Sequence, residues 1–159
     1  MPFPHCTGYQ KCGIVEWLGE AVQGMAVGDE VFVSISRVDG LFFDHGGHIS
    51  PSVSHCSQVW KLPPGVSMLA DSGLVLTQVG YNGGIRPPVH AGDAAVVIGD
   101  GMVGHWAAQT LRSRGARVAL VGRHTERLAR FELRAGDSIY WMDQKWPPQW
   151  APGHRTAWP

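Results

Sequence analysis

The chain has 159 residues, of which 44% are hydrophobic, and its 13 basic and 13 acidic side chains give a formal net charge of zero. This hydrophobic content is enough for a folded core and excludes a disordered chain. The balanced charge provides no basic surface, so we expect neither nucleic acid nor a membrane as a partner. Apolar runs such as AAVVI are too short to cross a bilayer, and the N-terminal MPFPHC lacks a secretory pattern, which predicts a soluble, cytoplasmic protein.

The first 66 residues predict short antiparallel strands separated by turns. KCGIVEW (11–17) and EVFVSI (30–35) are rich in β-branched and aromatic residues, and Gly28-Asp29 predicts a turn before the second. GGHIS (46–50) and SQVWKL (57–62) continue this pattern as far as the Pro-Pro-Gly at 63–65. We therefore expect an antiparallel β region.

The pattern changes at residue 67. SMLADSGLVLTQVGYN (67–82) has apolar residues at helical spacing, and Gly83-Gly84 is expected to end that helix. After a turn at Gly92-Asp93, AAVVI (94–98) predicts a strand buried on both faces of a parallel sheet.

Alternating elements follow that strand. We predict a helix from Gly101 to about Arg114, ended by Gly115, then the strand RVALV (117–121). TERLARFELR (125–134) predicts a helix behind a Thr125 cap, and SIYWM (138–142) predicts a third strand. This order is half of a doubly wound nucleotide-binding sheet. The last 17 residues carry three tryptophans and four prolines, and either drape over apolar surface or are disordered.

Metal-binding side chains are sparse in the sequence. The three cysteines at 6, 12 and 56 form no Cys-x-x-Cys pair, so we interpret them as free thiols. His45 and His48 lie close together but have no further ligand at metal-site spacing. We expect no metal site from these residues.

The segment GDGMVG contains a Gly-x-Gly-x-x-Gly pattern between a predicted strand and a predicted helix. In that context Gly99 permits a tight turn, Gly101 lets the backbone approach a diphosphate, and Gly104 lets the helix lie close to the strand. The N–H groups of Met102 and Val103 would face the phosphates. The alternative is that the glycines serve helix packing alone.

The end of the second predicted strand distinguishes between nicotinamide cofactors. NAD sites usually place an acid there to bind the ribose diol, but this chain has Gly122 followed by Arg123. Arg123, with Arg127 one turn later, could bind a ribose 2′-phosphate, so the sequence predicts NADP(H) as cofactor. The alternative is two solvated surface arginines.

These segments together resemble the medium-chain dehydrogenase/reductase superfamily of alcohol dehydrogenases and quinone oxidoreductases. The resemblance rests on residues 8–33, 59–67 and 92–123 with the region around Tyr81, and covers residues 4–140. It implies an α/β fold with a partial GroES-like catalytic β domain in residues 1–66. A linking helix and a partial Rossmann-type doubly wound parallel sheet follow in residues 67–142, and an irregular Trp/Pro-rich tail in 143–159. The chain would begin after the family's first strands and stop midway through the Rossmann sheet.

The resemblance also bears on metal chemistry. Zinc-dependent members carry Gly-His-Glu where this chain has Gly8-Tyr9-Gln10, and tyrosine and glutamine are poor zinc ligands. A further family ligand would fall near residues 74–76, which are Leu-Val-Leu, and the structural zinc lobe is missing. We expect no metal, and name Tyr9 as the catalytic candidate that could donate a hydrogen bond or proton to an oxyanion. A packed structural tyrosine is the alternative.

The resemblance implies an NADP(H)-dependent oxidoreductase, or a fragment of one, that transfers hydride to or from a small carbonyl, quinone, alcohol or activated alkene. The alternative is a non-catalytic NADP-binding redox sensor or interaction module. A third interpretation is a poorly stable remnant with an altered tail. The sequence leaves the substrate, the direction of the reaction and a homo-oligomeric assembly open.

Overall fold

The structure is a computed structural model that describes residues 6–34, 36–37 and 45–141. The chain divides into two compact units, Met1–Val75 and Leu76–Pro159. The first unit holds antiparallel strands and the second a parallel sheet with helices, so the predicted α/β fold is confirmed. The Trp/Pro-rich tail at 143–159 lies outside the described residues.

The main sheet of the first unit has three antiparallel strands, β1 (Lys11–Ile14), β2 (Glu30–Val33) and β5 (Val59–Lys61), in the order β1-β2-β5. Cys12, Phe32 and Trp60 form one row across it. The three apolar residues of β2, the central strand of this sheet, are buried. The two strands predicted from KCGIVEW and EVFVSI are therefore confirmed, in shorter form.

A second, two-stranded antiparallel pair joins β3 (Ser36–Arg37) and β4 (His45–Gly46). The predicted strand over residues 46–50 is wrong beyond Gly46, because the chain bends there. The N–H groups of Gly47 and His48 both donate to the carbonyl oxygen of Thr7, at 3.1 and 2.9 Å. A Cβ on Gly47 would lie 2.6 Å from the backbone nitrogens of Tyr9 and Gln10, so the close approach depends on glycine.

The helix predicted over residues 67–82 is two helices, α1 (Met68–Asp71) and α2 (Leu74–Ile85). The Ser67 hydroxyl accepts a hydrogen bond from Ala70 N and caps α1. Gly83 and Gly84 do not end α2, as the sequence predicted, but lie inside it. A Cβ on Gly84 would lie 2.5 Å from the Thr110 Cβ, so this glycine lets another helix approach.

The second unit alternates strand and helix: β6 (Ala94–Ile98), α3 (Met102–Ser113), β7 (Arg117–Gly122), α4 (Thr125–Leu128) and β8 (Ser138–Trp141). The strands are parallel, in the order β6-β7-β8, which confirms the predicted half of a doubly wound sheet. β7 lies at the centre and is buried. Ala108 and Leu111 of α3 pack with residues of β7, with Leu128 of α4 and with Phe131 to form the core.

The strand β6 differs from the prediction. AAVVI was expected to be buried on both faces, but Val96 is 50% and Ile98 is 69% exposed. Within the part of the chain that the structure describes, β6 pairs with β7 alone and is an edge strand. The apolar composition of β6 therefore predicted the strand, but the prediction that both of its faces are buried was wrong.

The helix predicted over residues 125–134 ends early, at Leu128, and Thr125 is its first residue rather than its cap, since His124 occupies the cap position. The chain turns after Leu128 because Phe131 enters the core and the guanidinium of Arg112 binds the Glu132 carbonyl. No helix in the described ranges is long and apolar enough to cross a membrane.

Candidate cofactor site

The glycine loop, residues 99–104, connects the carboxyl end of β6 to the start of α3. Gly99 adopts a φ of +126°, a conformation that side chains rarely allow. Its N–H donates to the Val121 carbonyl at 2.8 Å, so the turn begins while the chain still pairs with β7. The predicted tight turn at Gly99 is thus present.

Gly104 lies where α3 passes closest to the loop. A Cβ there would lie 2.8 Å from the Gly99 carbonyl carbon and closer still to its oxygen. Any side chain at this position would push the helix away from the strand end. The loop's third glycine therefore allows the close approach of helix and strand that the motif requires.

Gly101 occupies the cap position of α3 and has open space where a Cβ would stand. No side chain caps the helix. The first N–H groups of a helix lack acceptors within it, so those of Met102 and Val103 are available to an outside acceptor. Both residues are partly exposed. An uncapped helix start with open space in front of it is a geometry that fits a phosphate group.

Asp100 connects the glycine loop to the residues that follow β7. The residue is 8% exposed. Its Oδ2 accepts hydrogen bonds from the backbone N–H groups of Arg123 and His124, both at 2.7 Å, and lies 3.0 Å from His124 Nδ1. A carboxylate thus stands at the end of the second parallel strand, although no residue of that strand supplies it.

The environment of Asp100 favours its charged form. Desolvation by burial acts to raise the pKa of its carboxyl, but the hydrogen bonds from the His124 and Arg123 backbones and from the His124 ring outweigh it. The net effect holds the pKa below the ordinary value of 3.8. The site therefore contains a permanent negative charge at neutral pH.

Gly122 ends β7 directly against this carboxylate. A Cβ on Gly122 would lie 2.5 Å from Asp100 Oδ2. The sequence placed Gly122 in the cofactor site as a strand-ending residue. Its structural role is to leave room for Asp100.

The two predicted phosphate-binding arginines lie around the same turn. Arg123 and Arg127 are both exposed, and the Arg127 guanidinium NH1 lies 3.8 Å from Asp100 Oδ1. The structure therefore brings the predicted residues Gly122, Arg123 and Arg127 together with Asp100, which the sequence reasoning missed. The available signal was an acid between two motif glycines, read together with the rule that parallel strands end at one edge of the sheet.

The predicted catalytic residue Tyr9 belongs to the first unit. It is 51% exposed, and among the described residues its hydroxyl has no hydrogen-bond partner. It is not the packed tyrosine of the alternative interpretation. The side chain of its neighbour Gln10 is already hydrogen-bonded: Gln10 Oε1 accepts a hydrogen bond from Val75 N, at the start of α2, at 2.8 Å.

An open cleft of about 560 Å³ lies beside Gln10 in the first unit. Its lining includes Lys11, Cys12 and His48. Burial lowers the pKa of Lys11 and raises that of Cys12, on which the charge of Asp71 acts in the same direction. No three His, Cys, Asp or Glu side chains come together as a metal site within residues 6–34, 36–37 and 45–141.

Comparison with known proteins gives matches among solved structures. No family model and no curated protein matches the chain. The quinone oxidoreductase of Pseudomonas syringae is 24% identical, with a TM-score of 0.62 over 86% of this chain and 41% of that one. The 2R,3R-butanediol dehydrogenase of Bacillus subtilis is 26% identical, with a TM-score of 0.63 over 81% of this chain and 42% of that one. A mycobacterial protein complexed with NADPH is 24% identical, with a TM-score of 0.60 over 86% of this chain and 42% of that one.

The chain spans about half the length of the structures it matches. The chain has the fold of the medium-chain dehydrogenase/reductase superfamily, the alcohol dehydrogenases and quinone oxidoreductases, over that half.

Proposed function

We propose that the chain binds NADP(H) as part of an oxidoreductase that transfers hydride to or from a carbonyl, an alcohol or an activated alkene without catalytic zinc. One observation carries this proposal: Gly101, at the uncapped start of α3, follows Asp100, whose carboxylate accepts a hydrogen bond from Arg123 N and lies 3.8 Å from the Arg127 guanidinium. The NADPH complex of a mycobacterial protein with this fold supports it.

The glycine loop would bind the diphosphate of the cofactor. The N–H groups of Met102 and Val103 would donate to phosphate oxygens, since they lack acceptors within α3. The positive end of the α3 dipole favours the same charge. Because Gly101 has no side chain, the phosphate can approach the backbone directly.

The arginines would select the cofactor. Arg123 is exposed directly after β7 and Arg127 is exposed in α4. The adenosine ribose lies at the end of the second strand in nucleotide-binding sheets of this kind. Each charge-assisted hydrogen bond to a 2′-phosphate contributes about 1.5–3 kcal/mol, so one arginine can favour NADP over NAD by about tenfold or more.

The reduced nicotinamide ring, when bound, supplies the hydride. The protein's own contribution would be to orient the reacting groups and to stabilise charge on the substrate oxygen, for which the hydroxyl of the half-exposed Tyr9 is the candidate donor. Gln10 supports zinc-independent chemistry, because its amide oxygen is already used by Val75 N. Metal analysis by mass spectrometry is expected to find much less than one zinc per chain, and one equivalent would overturn this part of the proposal.

The cofactor assignment is tested by fluorescence titration with NADPH and NADH. NADPH is expected to bind the natural chain more tightly, and Arg123→Gln and Arg127→Gln are expected to reduce that preference about tenfold each. Arg130→Gln is the matched control, because Arg130 is exposed three residues beyond Arg127 and has no assigned role. Equal affinity for the two cofactors would refute the role of the arginines.

A non-catalytic NADP-binding module is the second candidate. The exposed Tyr9 hydroxyl, which has no partner in the described part of the chain, favours it, since a catalytic donor is usually held in place. Oxidation of NADPH by a panel of quinones, enones and aldehydes separates the two. Turnover supports the oxidoreductase, whereas tight binding without turnover supports the module.

A further inference from the structure

The carboxylate of Asp100 occupies the hydrogen-bond donors of the turn after β7, residues 122–125. The backbone N–H groups of Arg123 and His124 both donate to Oδ2. Each N···O distance is 2.7 Å, a length typical of charge-assisted hydrogen bonds. These amides are the donors that an anion bound at this turn would otherwise use. The Asp100 carboxylate therefore occupies the position at this turn that a bound anion would otherwise take.

The same carboxylate also contacts the side chains of His124 and Arg127. His124 Nδ1 lies within 3.2 Å of both Asp100 oxygens, and Arg127 NH1 lies 3.8 Å from Oδ1. Any phosphate drawn in by Arg127 would thus share that guanidinium with Asp100. Arg123, Arg127 and Asp100 together carry a formal charge of +1, rather than the +2 of the arginines alone. Glu126, in the first turn of α4, reduces the positive charge further.

We propose that Asp100 is a specificity-determining residue that limits the preference for NADP(H) over NAD(H), by holding a negative charge among the groups that would bind the ribose 2′-phosphate. This inference rests on the proposed function and deepens it. A 2′-phosphate carries about two more negative charges than the free hydroxyl, so a nearby anion opposes NADPH far more than NADH. The carboxylate can also accept a hydrogen bond from the free ribose hydroxyl of NAD(H), as the strand-end acid does in other nucleotide-binding sheets.

A purely structural role makes a different prediction. If Asp100 only held the turn in shape, its loss would weaken both cofactors alike and leave the ratio of their dissociation constants unchanged. The ratio, rather than either affinity, is therefore the decisive quantity.

The test compares Asp100→Asn with the natural chain by calorimetric titration with NADPH, NADH and the half-molecules 2′,5′-ADP and 5′-AMP. The half-molecules carry only the adenosine end, so they report on this turn without the nicotinamide. The ratio Kd(NADH)/Kd(NADPH) is expected to rise about five- to tenfold at low ionic strength and to rise less at high salt. The ratio for 5′-AMP and 2′,5′-ADP is expected to change in parallel.

Asp93→Asn is the matched control. Asp93 Oδ2 accepts a backbone bond from His90 N at 2.8 Å, but it precedes β6, at the opposite end of that strand from the glycine loop. This variant loses the same negative charge, at a carboxylate that also accepts a backbone hydrogen bond, and its ratio is expected to equal that of the natural chain. Asp100→Ser is the second variant, because a hydroxyl can accept one of the two amide bonds without charge.

The outcomes separate the two proposals. A natural chain that binds neither cofactor refutes the proposed function itself, and this inference with it. A natural chain that binds NADPH, with an unchanged or lower ratio in folded Asp100→Asn or Asp100→Ser, overturns this inference alone. Loss of the folded state in both variants, judged by circular dichroism, would also count against it, because it would assign Asp100 to the stability of the turn.

Discussion

The Asp100 carboxylate occupies the position that a side chain on Gly122 would need: a Cβ on Gly122 would lie 2.5 Å from Asp100 Oδ2. The two residues are 22 positions apart and meet because β6 and β7 are parallel neighbours whose carboxyl ends lie side by side. The absence of a side chain on Gly122 leaves space for the carboxylate, which accepts hydrogen bonds from the next two backbone N–H groups, those of Arg123 and His124. The geometry of the candidate site depends on this pair.

Gly122→Ala is therefore expected to destabilise the protein. The added methyl group must displace the Asp100 carboxylate, which then loses its bonds to the Arg123 and His124 amides, and the free energy of unfolding should fall by about 1–3 kcal/mol. Urea titration followed by circular dichroism measures this change. Gly13→Ala is the control, since a Cβ there meets nothing within 4 Å, and a change of similar size in both variants would contradict the explanation.

Acid is expected to remove the stability that Asp100 provides. Because its pKa is lower in the folded state than the ordinary 3.8, its contribution is fully present above that pH and is lost as the pH falls through the folded value. The difference in unfolding free energy between the natural chain and Asp100→Asn should be constant between about pH 5 and 7 and shrink below about pH 4. Urea titrations across this range measure it, and a difference independent of pH would refute the assignment.

Adjacent glycines in α2 are expected to respond in opposite ways. A Cβ on Gly84 would lie 2.5 Å from the Thr110 Cβ, whereas one on Gly83 would reach the Ala107 Cβ only at 3.9 Å. Gly84→Ala should therefore cost about 1–3 kcal/mol of stability, while Gly83→Ala should gain up to about 1 kcal/mol from helix propensity. Thermal melts of both variants test this. Stabilisation by both would mean that α2 and α3 do not pack through Gly84.

Arg114 is expected to stabilise the end of α2. Its guanidinium donates to the carbonyl oxygens of Gly84, Ile85, Pro87 and Val89, at 2.8–3.2 Å. A lysine ammonium keeps the charge but lacks the planar fork, so Arg114→Lys should lower the free energy of unfolding by about 1–2 kcal/mol. Arg130→Lys, at an exposed position, should leave it unchanged in the same urea titration. Equal effects would show that these bonds contribute nothing specific.

Gly101→Ala is expected to separate binding from folding. A Cβ there meets nothing within 4 Å and the backbone φ of −83° suits any residue, so the melting temperature should stay within a few degrees of the natural value. The methyl group would stand where the diphosphate approaches, and NADPH affinity should fall by about tenfold or more. Undiminished affinity in fluorescence titration would place the phosphates elsewhere.

Local patterns in the sequence predicted the parts of the fold that local chemistry determines. The glycine loop, α3 and β7 lie where glycine spacing and apolar periodicity placed them. The patterns failed where distant contacts decide: Gly84 stays inside α2 because Thr110 packs on it, and the helix after β7 ends at Leu128 because Phe131 enters the core. The position of Asp100 beside Arg123 was missed for a similar reason, since the order of the parallel strands, and not spacing along the sequence, brings the two residues together.

The crystal structure of this chain with NADPH tests the central claim most directly. The claim requires the diphosphate to lie against the N–H groups of Met102 and Val103, with the ribose 2′-phosphate between the guanidiniums of Arg123 and Arg127. A cofactor bound at another place, or a glycine loop filled by protein side chains in that complex, would contradict it.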